Sequence, residues 1–149
     1  MRSSTSAIFG CIVALLKLNS VHSSGRVNFT DGGNHTITSD YEDANIYVLN
    51  KTSLTFNSGY FITAPSSTDY GEEAIRVQDS FFYAQSGVIV GAAGIGGTGV
   101  TITTNKERGS TSYATFETGI EVYGGSAGRE HTTKGGNAVQ ILQMGSEVS

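Results

Sequence analysis

The chain has 149 residues, room for one small domain, and its 15% charged and 38% hydrophobic residues are both low for a globular protein. The balance is 20 Gly, 18 Ser and 17 Thr, with one Pro and no Trp. That composition excludes a helical bundle, which needs Ala, Leu, Glu and Lys runs, and a disordered tail, which carries more charge and Pro, and it suits an all-β chain. A formal net charge of −4 argues against nucleic acid or an anionic membrane as partner.

The first segment reads as an address. Arg2 supplies a short basic region, and Ala7–Leu16 is an apolar run with no break. Val21-His22-Ser23 then supplies a polar stretch suited to cleavage. This is the three-part pattern of a secretory signal peptide over residues 1–23, and the run is too short to span a bilayer. Cleavage would leave 7 basic and 13 acidic residues, net −6. It would also remove Cys11, the sole cysteine, so the mature chain must fold without a disulfide. Extracellular localisation follows as an expectation. Three sequons come next, at Asn28-Phe29-Thr30, Asn34-His35-Thr36 and Asn50-Lys51-Thr52. They are candidate glycosylation sites in an exported protein.

Residues 24–44 read as an N-terminal cap or lead-in, and 45–149 as repeats. The clearest self-similarity sets Ser39-Asp40-Tyr41-Glu42-Asp43-Ala44-Asn45-Ile46 against Thr68-Asp69-Tyr70-Gly71-Glu72-Glu73-Ala74-Ile75. An offset of 28 then aligns Tyr47 with Ile75, Leu54 with Phe82, Gly59 with Gly87 and Phe61 with Ile89. Val100 and Ile102 match Ile75 and Val77, Ala114–Phe116 match the Phe82 strand, and Gly119–Val122 match Gly87–Val90. Ala138–Ile141 mirrors Ala74–Val77 and opens a fourth pass. Each unit holds three short alternating strands and a Gly/Ser-rich loop. Units of this kind predict a parallel β-helix, a solenoid of three to four coils near 45–62, 74–90, 99–122 and 138–149. The alternative is an antiparallel β-sandwich, which also spaces short strands evenly. The pattern breaks off inside a strand and reads as truncated. A short solenoid with an open last coil is expected to self-associate.

The coil grammar, the xIxV strands and the Gly-rich insertions resemble secreted right-handed parallel β-helix proteins, the pectin-lyase-like superfamily in its broad sense. The resemblance covers about Ile46 to Ser149. It implies two ways of using stacked acids, as catalytic Asp clusters in polygalacturonases or as Ca²⁺ ligands in pectate lyases. The matching residues here are Asp40, Glu42, Asp43, Asp69, Glu72 and Glu73, which stacking would gather at one corner, where neighbouring carboxylates raise one another's pKa or recruit a cation. A Ca²⁺ site is the candidate cofactor position. A GHG turn with a following RxK is absent, and Arg76 matches the lyase base only by position.

Other motifs carry less. Gly94-Ile95-Gly96-Gly97-Thr98-Gly99 fits GxGxxG, but strand formers follow it where a dinucleotide fold needs a helix. His35 and His131 stand alone as loop residues, and Tyr41 and Tyr70 form either a sugar platform or an aromatic ladder over the core. The Thr36-Ile37-Thr38 and Thr101-Ile102-Thr103 strands do not recur in every coil, which excludes a regular ice-binding row. The expectation is a secreted, non-enzymatic surface, wall or matrix module with a glycan-binding or self-associating role and no catalytic residues. The alternative is a fragment of a polysaccharide lyase or hydrolase.

Overall fold

A computed structural model describes residues 22–57, 60–65, 72–93, 97–105, 109–126 and 136–144. The expected signal segment therefore lies outside the described residues, save that β1 starts at His22. Among the described residues the protein is all-β, with twelve strands and no helix. They are β1 (His22–Phe29), β2 (Asn34–Ile37), β3 (Tyr41–Val48), β4 (Ser53–Phe56), β5 (Phe61–Thr63) and β6 (Ile75–Gln78), then β7 (Phe81–Ala84), β8 (Gly87–Val90), β9 (Val100–Asn105), β10 (Tyr113–Phe116), β11 (Ile120–Tyr123) and β12 (Val139–Met144).

Every named strand pair is parallel. Parallel neighbours cannot be joined by a hairpin, so the chain must travel round before it pairs again. From β4 onward each strand pairs with the third one after it. The antiparallel sandwich is thereby overturned. The arrangement is a nearly closed set of parallel strands, compatible with a solenoid.

The pairing resolves into three ladders. The first runs β1–β3–β6–β9–β12, the second β2–β4–β7–β10 and the third β3–β5–β8–β11. β3 serves two of them. It bends at Asp43, whose φ is 52°, so that Tyr41 pairs with Ile62 on the third ladder and Ile46–Val48 with Ile75–Val77 on the first. The lead-in over 24–44 holds most of β1, all of β2 and the start of β3, and β1 and β2 pair in parallel with β3 and β4.

Period-two alternation sends one side of each strand inward. On the first ladder the inward rows are Val27–Ile46–Ile75–Val100–Val139 and Phe29–Val48–Val77–Ile102–Ile141. On the second they are His35–Leu54–Phe82–Ala114 and Ile37–Phe56–Ala84–Phe116. Large and small residues alternate there, so Phe56 and Phe116 flank Ala84, and Phe82 meets Phe116 edge-on at 6.1 Å. The middle members of these rows are buried and form one core.

The sequence alignment needs three corrections. Ile75 pairs with Ile46 and not Tyr47, Ile89 pairs with Ile62 and not Phe61, and Gly87–Val90 pair with Ile120–Tyr123 and not Gly119–Val122. A one-residue slip turns every side chain to the opposite face, and the inward position of Ile46 and Ile62 decides the register. The matches of Leu54 with Phe82 and of Val100 with Ile75 stand as read.

Two corners hold the turns together. After the first ladder, hydroxyls turn inward once per turn at Thr52, Ser80 and Ser112, all buried. Gly32 N donates to Thr52 Oγ1 at 2.9 Å, Thr52 N to Ser80 Oγ at 3.2 Å, and Asp79 N to Ser112 Oγ at 2.7 Å. Each hydroxyl thus satisfies a backbone N–H of the turn before it. At the corner leaving the third ladder, backbones meet without side chains. Gly125 N donates to Gly97 O at 2.8 Å and Gly136 N to Gly125 O at 3.0 Å. A Cβ on Gly97 would lie 1.9 Å from Ala92 O. The second half of the GxGxxG motif is there for close backbone approach, and Gly94–Gly96 lie outside the described residues.

Candidate functional site

The acid corner is only partly assembled. Asp40 is buried, and its Oδ1 accepts from Phe61 N at 3.0 Å, which anchors the start of β5. Glu73 pairs with Arg76, Oε1 to Nη2 at 2.6 Å, while its carbonyl accepts from Asn45 Nδ2 at 2.7 Å. Glu72 is exposed, and its carbonyl accepts from Ala92 N at 3.1 Å. Glu42 and Asp43 are also exposed, and Asp43 N donates to Thr63 Oγ1 at 3.3 Å. Asp69 and Tyr70 lie outside the described residues. Among the described residues no three of His, Cys, Asp or Glu gather where they could hold a metal ion. What the corner does contain is a groove of about 400 Å³ whose wall includes Asp43, Thr63, Val90 and Ser126.

Arg76 is also engaged across the strand pair. The guanidinium carbons of Arg26 and Arg76 stand 4.3 and 5.4 Å from the Tyr47 ring centroid, a stacked arrangement that holds both cations. Arg26 Nη2 adds a bond of 3.3 Å to the Tyr47 hydroxyl.

Tyr41 belongs to the core, not to a sugar platform. It is buried, and burial pushes its phenol above the usual value, opposed by a hydrogen bond with Ser39. His35 lies on β2 and not in a loop. Its Nε2 sits 2.8 Å from Asp31 Oδ1, and its ring is 5.0 Å from that of Phe29. That bond and another from Gly33 N lower the Asp31 carboxyl below its ordinary value. His131 lies outside the described residues.

The more coherent surface is one that sequence reasoning missed. The outward side of the second ladder carries two rows in register, Asn34–Ser53–Phe81–Tyr113 and Thr36–Thr55–Tyr83–Thr115. Phe81 and Tyr113 are 46% and 55% exposed. Their rings are nearly parallel, 9° apart, with centroids separated by 5.4 Å. Coplanar rings cannot come that close edge to edge, so the two overlap face to face. The Tyr83 hydroxyl donates to Glu117 Oε1, which raises its pKa and directs the phenol along the sheet. Every other member of both rows is neutral, and most carry a hydroxyl. The available signal was Phe81-Phe82-Tyr83, where an aromatic core residue has aromatic neighbours on both sides and one face of the strand must show them to solvent.

All three sequon asparagines, Asn28, Asn34 and Asn50, are exposed. Asn50 takes φ 58° in its turn, and its Nδ2 donates to Thr30 O at 3.3 Å. No protein-family model matches the chain, and no curated protein or solved structure matches it either.

Proposed function

We propose that this chain is a secreted, non-enzymatic parallel β-helix module that binds an extracellular glycan along the outer face of its second ladder. The observation that carries the reading is the in-register strip of Phe81, Tyr83 and Tyr113 flanked by Ser53, Thr36, Thr55 and Thr115. A sugar ring offers an apolar C–H face and a rim of hydroxyls. Exposed aromatic faces beside neutral hydroxyls complement both at once. The strip runs parallel to the stack, so an extended chain can be read rung by rung, about 4.8 Å apart. The signal-like segment at 1–23 supports the extracellular assignment. The engagement of Asp40 by Phe61 N, and of Glu73 by Arg76, favours binding over chemistry by paired carboxylates.

The test is affinity electrophoresis of the mature chain through gels containing hydroxyethylcellulose, a neutral polysaccharide, or polygalacturonate. Retardation by the neutral polymer, weakened about tenfold by Phe81→Ala or Tyr113→Ala, is the expected result. No reducing ends should be released. Migration unaffected by the neutral polymer overturns the reading, and product release lost in Asp43→Asn would replace it with the enzymatic one.

A further inference from the structure

Phe81 has two faces. One is covered by Tyr113, and the other looks along the ladder toward Ser53, which is too small to cover it. Beyond Ser53, in the same outward row, stands Asn34. Asn34 and Phe81 are therefore two rungs apart, about 10 Å, with a slot between them above Ser53. Thr36 and Thr55 border the slot from the adjacent row. Asn34 opens the sequon Asn34-His35-Thr36, and both Asn34 and Thr36 are exposed.

We infer that Asn34 carries an N-linked glycan whose first sugar fills this slot and stacks on the outer face of Phe81. The occupant is thus a saccharide of the chain itself, held by a covalent tether in the position an external glycan would take. The inference rests on the reading of this face as a sugar-binding surface. In forming the linkage, Asn34 Nδ2 bonds to the anomeric carbon of the sugar and loses a proton. The carbon–oxygen bond to a polyprenyl pyrophosphate donor breaks, and the pyrophosphate leaves. A tethered sugar pays little translational entropy, so it outcompetes a free one at the same slot. Glycosylation at Asn34 then acts as a plug that sets how much of the strip is open to external glycans.

The Asn50 sequon differs. Thr52 is buried, and its Oγ1 accepts from Gly32 N, so this acceptor is closed once the chain has folded. Asn34 has no such restriction.

The experiment uses the full chain secreted from a eukaryotic cell. Enzymatic deglycosylation should convert Asn34 to Asp, read by peptide mass. In the intact glycoprotein, the protons of the first N-acetylhexosamine should show an upfield ring-current shift. Phe81→Leu keeps apolar bulk without a ring and should abolish that shift. N34Q should bind free N,N′-diacetylchitobiose roughly tenfold more tightly than the glycosylated chain does. An unmodified Asn34, or sugar protons that resonate identically in the Phe81→Leu protein, overturns the inference. A ring-current shift in a protein whose N34Q form ignores free saccharides would leave the tethered contact standing and reject external glycan binding alone.

Discussion

At the scale of single residues, buried polar atoms matter more than the many exposed ones. Ser80 is fully buried and supplies one of two acceptors for Thr52 N, the other being Leu49 O at 3.3 Å. Ser80→Ala should lower unfolding free energy by about 0.5–1.5 kcal/mol, the net worth of one hydrogen bond, because Thr52 N keeps its second acceptor. Urea titration would check this, with the half-exposed Ser53→Ala near neutral as the control. Tyr41 supplies a second test. Its folded-state pKa is raised by burial above 10.0, so between the unfolded and folded values the native state holds a proton that the unfolded chain has lost. The Tyr41 contribution should therefore be constant below about pH 10 and be lost as pH rises through the folded value. Tyr41→Phe should reduce the alkaline loss of stability by that share, leaving the share of Tyr83, whose pKa is also raised, as followed by circular dichroism.

At the scale of elements, the strands were legible and their corners were not. Leu54-Thr55-Phe56 and Ile75-Arg76-Val77 alternate plainly, and each pairs where that alternation requires. The slip at Tyr47 arose at the corner after β3, where residues 49–52 stand against only 78–80 one turn later. Asn50 and Lys51 both take positive φ there while only Asp79 does in its counterpart, and no hydropathy pattern marks the extra residue. The acid corner was legible as a repeat of carboxylates but not as a set of fates. Only the fold shows that Asp40 goes inward to a backbone N–H and Glu73 to a guanidinium. The outer aromatic strip was visible as residues and missed as a surface, because it exists only once Phe81 and Tyr113 stand in register. The glycine corner makes the sharpest element-level prediction. Gly97→Ala should destabilise markedly, since its Cβ would meet backbone that cannot yield. At Gly33 a Cβ would meet only the Asp31 side chain at 3.2 Å, and Ala there should be far milder. Thermal melts of the two variants would compare them.

At the scale of the molecule, the core is thin, and its last rung is the weakest. Ile141 occupies an inward row yet is 71% exposed, because no described strand stacks on β12. An apolar row beside an unpaired parallel edge is a template for association. Self-association through the β12 edge is the expected outcome, with Ile141→Lys shifting the protein toward monomer in sedimentation velocity. A monomeric wild type with a sharp cooperative melt would refute that.

The constant repeat of the pairing has a consequence for the gene as well as for the fold. Ile46 and Val100 are both partners of Ile75, on opposite sides. Excising residues 75–99 would let Val100 settle on Ile46, β10 on β4 and β11 on β5, with every inward residue still inward. Such an internally deleted protein should fold, shorter by one turn, whereas removal of an odd few residues within a strand should not. Length in this architecture is a quantity that duplication and loss can adjust one turn at a time, leaving the cross-section as it was.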